Sequence, residues 1–180
     1  MKITLITSNL NKVKEFKEIL EPEIQVIHKK LEYKELRSDD TKEIAEESAI
    51  RLANELKQTV VVEDSGLFID ALNGYPGTVS AYSYKRIGLQ GILKLMENKT
   101  NRKAHYKSVI AYAEPNKTPI SFEGTEELTI AKEERGTNGW GHDPIVIPKG
   151  ETQTYAEKTT YDKKFRKIAI KKLKDYLLKS

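Results

Sequence analysis

The chain contains no cysteine. That excludes a disulfide scaffold, a Cys-ligated zinc or iron–sulfur site and a thiol nucleophile, and it leaves a reducing compartment as the default. Long hydrophobic runs are missing too. The apolar stretches are short and broken by charge, so no segment is expected to span a membrane. The N-terminus, Met1-Lys2-Ile3-Thr4-Leu5-Ile6-Thr7, is too short for a signal-peptide core and lacks a small-residue cleavage site. It reads as an opening strand, and the expected location is the cytoplasm. Histidine is scarce: His28, His105 and His142 show no metal-ligand spacing, which argues against a zinc enzyme. No serine sits in a nucleophile-elbow motif. Repeats, low-complexity tracts and flexible linkers are also lacking.

What the chain has in quantity is charge. Its 31 basic and 27 acidic residues leave a net charge of +4 over 180 residues, too little to argue for nucleic acid. The distribution is uneven: residues 158–180 carry +7 and the rest −3. Such a tail either meets phosphates or is the solvated face of a Lys-rich helix.

The pattern of apolar residues predicts an α/β protein. Ile3 to Thr7 is a strand; Asn9 or Asn11 caps a helix whose Val13, Phe16, Ile19 and Leu20 share a face; Pro22 ends it, and Ile24 to Ile27 is a second strand. Residues 28–40 are irregular. Asp40-Thr41-Lys42-Glu43 has capping-box spacing ahead of a helical stripe from Ile44 to Leu56, and Val60-Val61-Val62 is a buried strand. Strand, helix, strand, helix, strand implies layers of helix on sheet. Asn73 to Gly77 is a turn cluster, and Leu89, Ile92, Leu93 and Met96 mark a helix. Residues 104–113 and 120–130 form an antiparallel hairpin, which makes the sheet mixed. Ile145 to Ile147 is a strand stopped by Pro148. The stripe Phe165, Ile168, Ala169, Leu173, Tyr176, Leu177 gives a C-terminal amphipathic helix.

Four places carry polar residues a plain core does not need. Thr7-Ser8-Asn9-Leu10-Asn11-Lys12 lies where a strand ends and a helix starts, so free N–H groups and the helix dipole favour an anion. It lacks the glycines of a P-loop, and an ordinary helix cap is the alternative. Glu63-Asp64-Ser65-Gly66 follows the apolar run of a strand, where α/β sheets bind ligands. Carboxylates there hold a cation through oxygen or take a proton from water; a turn is the alternative. Glu35 stands in the irregular 28–40 stretch, where a solvated glutamate is the plain reading. In Gly136-Thr137-Asn138-Gly139-Trp140-Gly141-His142-Asp143-Pro144, a lone Trp among glycines suits a base lying on the indole, or else a hairpin with Trp140 in the core.

Taken together and in order, these motifs resemble the inosine triphosphatase family, pyrophosphatases of non-standard purine nucleoside triphosphates. Thr7 to Lys12 is similar to the family's Thr-Gly-Asn-x-x-Lys start, with Ser8 for Gly. Val62-Glu63-Asp64-Ser65-Gly66-Leu67, then Ala71-Leu72-Asn73-Gly74-Tyr75-Pro76-Gly77 and Ser80, resembles its central signature, the most specific part. Gly139 to Pro144 resembles Gly-Phe-Gly-Tyr-Asp-Pro, and Tyr155-Ala156-Glu157 a Tyr/Phe-Ala-Glu stretch. Glu35 takes the place of the family's metal-site Glu. One segment departs. The family's Glu-Lys-x-x-x-Ser-His-Arg run reads Asp162-Lys163-Lys164-Phe165-Arg166 here; Lys163 matches the Lys, Arg166 matches the Arg across a gap, and the Ser-His pair is lost.

The resemblance spans nearly the whole chain. It implies that residues 1–180 form a single nucleotide pyrophosphatase domain, with a mixed, elongated α/β sheet flanked by helices and two lobes about a central cleft. The implied reaction converts ITP, dITP or XTP and water to the monophosphate and pyrophosphate, in a homodimer using Mg²⁺. The implied roles are metal binding by Glu35 and Asp64, with Asp64 also the proton acceptor. Glu63 is a further metal ligand or a supporting group. Phosphates fall to Thr7, Ser8, Asn9, Leu10, Asn11, Lys12 and Ser65, and the base to Trp140, Gly141, His142, Asp143, Lys163 and Arg166. Arg166 alternatively opens the last helix and faces solvent. Three rivals stay open: a pyrophosphatase with another base preference, a non-catalytic nucleotide-binding module, and a nucleic-acid-binding protein using the basic tail.

Overall fold

The structure is a computed structural model that describes residues 1–160 and 163–179. Among the described residues, seven strands and four α-helices follow the expected alternation: β1 (Lys2–Ile6), α1 (Leu10–Leu20), β2 (Gln25–Lys29), α2 (Thr41–Leu56), β3 (Val60–Ile69), β4 (Pro76–Gly77), α3 (Ser80–Leu95), β5 (Lys103–Ala113), β6 (Ile120–Ile130), β7 (Val146–Pro148) and α4 (Lys164–Lys179). The sheet order is β2-β1-β3-β5-β6-β7, with β4 on β3. It is mixed: β1 runs parallel to β2 and β3, while β4 is antiparallel to β3 and β7 to β6.

The helix starts obey their sequence signals. Asn9 caps α1, its side chain accepting from the Asn11 N–H at 2.9 Å. Asp40 caps α2 through the Lys42 N–H at 2.9 Å, but the expected capping box closes differently. Glu43 takes the Ser38 hydroxyl at 2.6 Å, and Ser38 Oγ in turn accepts the Asp40 N–H at 3.0 Å.

Several boundaries differ from expectation: β1 runs Lys2–Ile6 and not Ile3 to Thr7, and β2 runs Gln25–Lys29 and not Ile24 to Ile27. β3 does not stop after Val62; it runs through Glu63-Asp64-Ser65-Gly66, which is therefore neither a turn nor a strand end. The ladder continues because β4 pairs with Leu67 and Phe68. Gly66 permits that approach, since a Cβ there would lie 2.1 Å from the Gly77 carbonyl oxygen. α3 begins at Ser80, ahead of the predicted stripe, and breaks at Gly88, whose φ of 62° is left-handed. β7 starts one residue late, because Ile145 belongs to a 3₁₀ turn over Asp143–Ile145.

The chain divides into two compact units. The first comprises Met1–Asp64, Ser108–Gly124 and the chain from Phe165 onward. Its strands bury both faces, as strand alternation demands. On one face Ile3, Leu5, Val26, Val61 and Ile110 meet Val13, Phe16 and Leu20 of α1 and Ala169, Ile170, Leu173 and Leu177 of α4. On the other, Ile6, Val60, Val62, Val109 and Ala111 meet Ala45, Ala49, Leu52 and Ala53 of α2. Gly124 lets α4 lie close on β6: a Cβ there would stand 2.0 Å from the Phe165 carbonyl oxygen. The basic tail is partly tied down, with Lys172 donating to the Glu123 carbonyl and Lys174 to that of Ile19, each at 2.8 Å.

The second unit comprises Ser65–Lys107 and Thr125–Lys164. Leu67, Ile69, Leu89, Ile92, Met96, Ala104, Leu128, Ile130 and Val146 are buried in it. Arg102 ties its parts together, donating to the Ile130 carbonyl at 2.7 Å and the Met96 carbonyl at 3.1 Å. Among the described residues no helix is long and apolar enough to cross a membrane.

Candidate active site

In the first unit, the turn from β1 into α1 is shaped by its own side chains. Thr7 Oγ1 accepts the Asn9 N–H at 3.1 Å, and the Thr7 carbonyl meets His28 Nε2 at 2.9 Å. Ser8, Leu10 and Asn11 are exposed, while Thr7, Asn9 and Lys12 are half-buried. Lys12 turns inward from α1 to β3. Its ammonium lies 2.6 Å from Glu63 Oε2 and 3.0 Å from the Glu63 backbone oxygen.

Glu63 is buried and surrounded by donors. Its Oε1 accepts from Ser108 Oγ at 2.6 Å and from Arg166 Nε at 3.0 Å. Burial works to raise its pKa, but the charges of Arg166 and Lys12 and the hydrogen bonds outweigh that and hold it down to about 2. Arg166, expected at the base or in solvent, is 1% exposed, and its Nη1 donates to Glu15 Oε2 at 2.9 Å. Burial opposes its charge, yet Glu63 and Glu15 raise its pKa above the ordinary arginine value.

Asp64 is half-buried beside Glu63 on β3, and Glu35 is exposed in the stretch after β2. Both act on one group, the phenol of Tyr33. Burial first, then the negative charges of Glu35, Asp64 and Glu63, push the Tyr33 pKa up, against a smaller opposite effect of Arg51. Glu35 and Asp64 thus share a neighbourhood of concentrated negative charge. Among the described residues no three His, Asp or Glu side chains gather as a ready metal cage. Two carboxylates with oxygen donors only suit a hard divalent cation that takes its remaining ligands from water and phosphate. Glu63 is engaged by Lys12, Arg166 and Ser108.

In the second unit, Asp143 is wholly buried at the start of its 3₁₀ turn. Its Oδ2 accepts the Trp140 N–H at 2.7 Å, and its Oδ1 lies 2.6 Å from the Lys163 ammonium. Lys163, 3% exposed, also stands 4.2 Å from the Trp140 ring centroid, a cation–π contact on a half-buried indole. His142 is buried with its ring edge-on to Tyr84 at 5.6 Å. Burial, and then the Lys163 charge, lower its pKa to about 4, so its imidazole is neutral at pH 7. Gly141 has a φ of 66° and open space around it, leaving its backbone approachable. The segment that carries Lys163 is fixed by Glu126 of β6, which accepts the Tyr155 hydroxyl and, at 2.8 Å, the Lys164 N–H. Ser65 is half-buried, next to Asp64 in sequence. Asp162 of the departing segment lies outside the described residues.

The first unit therefore gathers Lys12, Glu63, Arg166 and, around Tyr33, Glu35 and Asp64. The second gathers Trp140, His142, Asp143 and Lys163. Glu15, Ser108, Tyr33, Glu126 and Tyr155 join these groups without having been singled out as site residues. Of these, Tyr155 stood in the Tyr155-Ala156-Glu157 stretch, and Glu15 carried a signal of position: it lies on α1 three positions after Lys12, on the same helix face.

Known proteins share this chain's sequence and fold. The chain is 50% identical over 158 residues to a dITP/XTP pyrophosphatase of Methanopyrus kandleri, covering 87% of this chain and 84% of that one. It is 46% identical over 164 residues to a dITP/XTP pyrophosphatase of Thermococcus kodakarensis, covering 91% and 88%. The solved structure of a HAM1 protein from Coxiella burnetii superposes with a TM-score of 0.87 at 28% identity over the whole of both chains. Residues 3–176 match the Ham1 family, and the chain belongs to that family.

Proposed function

We propose that this chain is a nucleoside triphosphate pyrophosphatase that hydrolyses ITP, dITP and XTP to the monophosphate and pyrophosphate, removing them from the nucleotide pool. The observation that carries the reading is the pairing of Lys12 with Glu63 directly beside Asp64, in a family whose curated members include dITP/XTP pyrophosphatases.

The chemistry follows from the residues. A water oxygen attacks the α-phosphorus, the bond from that phosphorus to the α–β bridging oxygen breaks, and pyrophosphate leaves. Asp64 receives the proton of the attacking water. The donors of the Thr7–Lys12 turn and the Lys12 ammonium bind the phosphate oxygens and offset their charge, and Ser65 assists. Mg²⁺ would be held by Glu35 and Asp64, and when bound it supplies charge neutralisation on the phosphate chain.

Base choice belongs to the second unit. Trp140 offers an indole face, and the Gly141 and His142 backbone with Asp143 and Lys163 offers polar contacts. A 6-keto oxygen accepts from the Gly141 and His142 N–H groups and the Lys163 ammonium. A 6-amino group presents donors to donors and leaves buried groups unpaired, which rejects ATP. Residues 1–180 act as one pyrophosphatase domain, in a cytoplasmic homodimer.

The test is a panel of nucleoside triphosphates with Mg²⁺, assayed separately for pyrophosphate and orthophosphate. Pyrophosphate from ITP and XTP, and little from ATP, is the expected result. Orthophosphate as first product, or full activity in excess chelator, refutes it.

A further inference from the structure

The Lys12 ammonium is anchored twice by one residue, at 2.6 Å to Glu63 Oε2 and at 3.0 Å to the Glu63 backbone oxygen. An ammonium has three donors. The Glu63 backbone oxygen takes one, its carboxylate holds the ammonium as an ion pair, and an N–H remains for a ligand on a side chain that is 17% exposed. Glu63 is itself gripped from behind by Ser108 of β5 and Arg166 of α4, and Arg166 by Glu15 of α1. Glu15, Arg166, Glu63 and Lys12 thus form a line of alternating charge whose formal sum is zero. Three members are buried, and the line ends at the partly open Lys12 beside the β1–α1 turn.

We propose that Glu63 is a positioning residue: it holds Lys12 with one N–H aimed at a fixed point for a phosphate oxygen, and it is not a metal ligand. The inference rests on the pyrophosphatase reading and assigns a task within it. A lysine stem has several rotatable bonds, and ordering it on binding costs affinity. Two anchors remove that freedom beforehand. Ligation through Oε2 would instead displace the Lys12 ammonium that faces it, and ligation through Oε1 would draw that oxygen from Arg166 and Ser108.

The experiment is a double-mutant cycle on metal-free binding of inorganic tripolyphosphate, measured by calorimetry in excess chelator. Glu63→Gln is expected to weaken binding about tenfold in the wild-type background, the size of one charge-assisted hydrogen bond. It should have almost no effect in the Lys12→Ala background, and the Mg²⁺ concentration for half-maximal ITP turnover should stay unchanged. Equal weakening in both backgrounds overturns the proposal. So does a raised Mg²⁺ requirement at unchanged metal-free affinity, or failure of the wild type to bind tripolyphosphate. If Glu63→Gln does not fold, Ser108→Ala removes only one hydroxyl behind Glu63. It should weaken tripolyphosphate binding about threefold when Lys12 is present and not when it is absent, and no effect in either background counts against the idea. Wild-type protein that binds tripolyphosphate but releases no pyrophosphate from ITP sinks the functional reading instead, and the cycle still answers for Glu63.

Discussion

The Lys163 ammonium lies 2.6 Å from Asp143 Oδ1, and the two side chains are 3% and 0% exposed. Each is the other's close counter-charge, and removing one weakens the compensation of a buried charge. Asp143→Asn is therefore expected to destabilise the fold by about 3–5 kcal/mol, the range for breaking a buried pair. The double variant Asp143→Asn, Lys163→Met should recover part of that loss. Chemical denaturation of the single and double variants checks it; a double variant less stable than Asp143→Asn alone rules the pairing out as the cause.

His142 makes stability depend on pH. Its pKa falls from 6.5 to about 4 through burial and the Lys163 charge, and Tyr84 packs against its ring. Between those two values the unfolded chain binds more protons than the folded one, so this contribution is complete above 6.5 and is lost as the pH falls toward 4. His142→Phe should flatten the stability curve across that window. Denaturation midpoints at several pH values decide it, and an unchanged slope in the variant removes His142 as the source.

Much of the fold was legible because its signals are local. The caps at Asn9 and Asp40 and the stripes of α1, α2 and α4 depend on residues a few positions apart. β3 was read as stopping at Val62 because Glu63 and Asp64 look like solvent-facing residues. What lets Glu63 lie in a buried strand is compensation from far away: Lys12 is 51 positions distant and Arg166 is 103. The same holds at the site. The Thr7–Lys12 turn and the Glu63–Gly66 segment stood out as motifs. Glu15 and Ser108 did not, since their roles arise only when α1, β5 and α4 pack on β3. Arg166 was placed by alignment at the base; packing gives it Glu63 and Glu15.

Asp64 and Glu35 should separate under substitution. Asp64→Asn loses a proton acceptor and a metal oxygen together, and kcat for ITP is expected to fall by roughly 10²-fold or more. Glu35→Gln should chiefly raise the Mg²⁺ requirement. Both should keep the wild-type melting temperature, because Glu35 is exposed and Asp64 half-buried. Near-wild-type turnover in Asp64→Asn takes it out of the mechanism.

Arg166→Ala distinguishes a base contact from the buried role that the structure gives it. A guanidinium donating to a 6-keto oxygen would favour ITP over ATP, and its loss would narrow the ratio of their kcat/KM values. Arg166 is instead 1% exposed, with Nε on Glu63 and Nη1 on Glu15. Its removal takes a counter-charge from both Glu63 and Glu15, so the variant should lose about 3–5 kcal/mol of stability. The surviving folded enzyme should lose activity on ITP and ATP by similar factors, because the damage passes through Glu63 to Lys12, which meets phosphates common to both. Adding Glu15→Gln should recover some stability, since it removes one of the two carboxylate charges that Arg166 had offset. Folded Arg166→Ala that loses ITP activity tenfold more than ATP activity would return this arginine to the base.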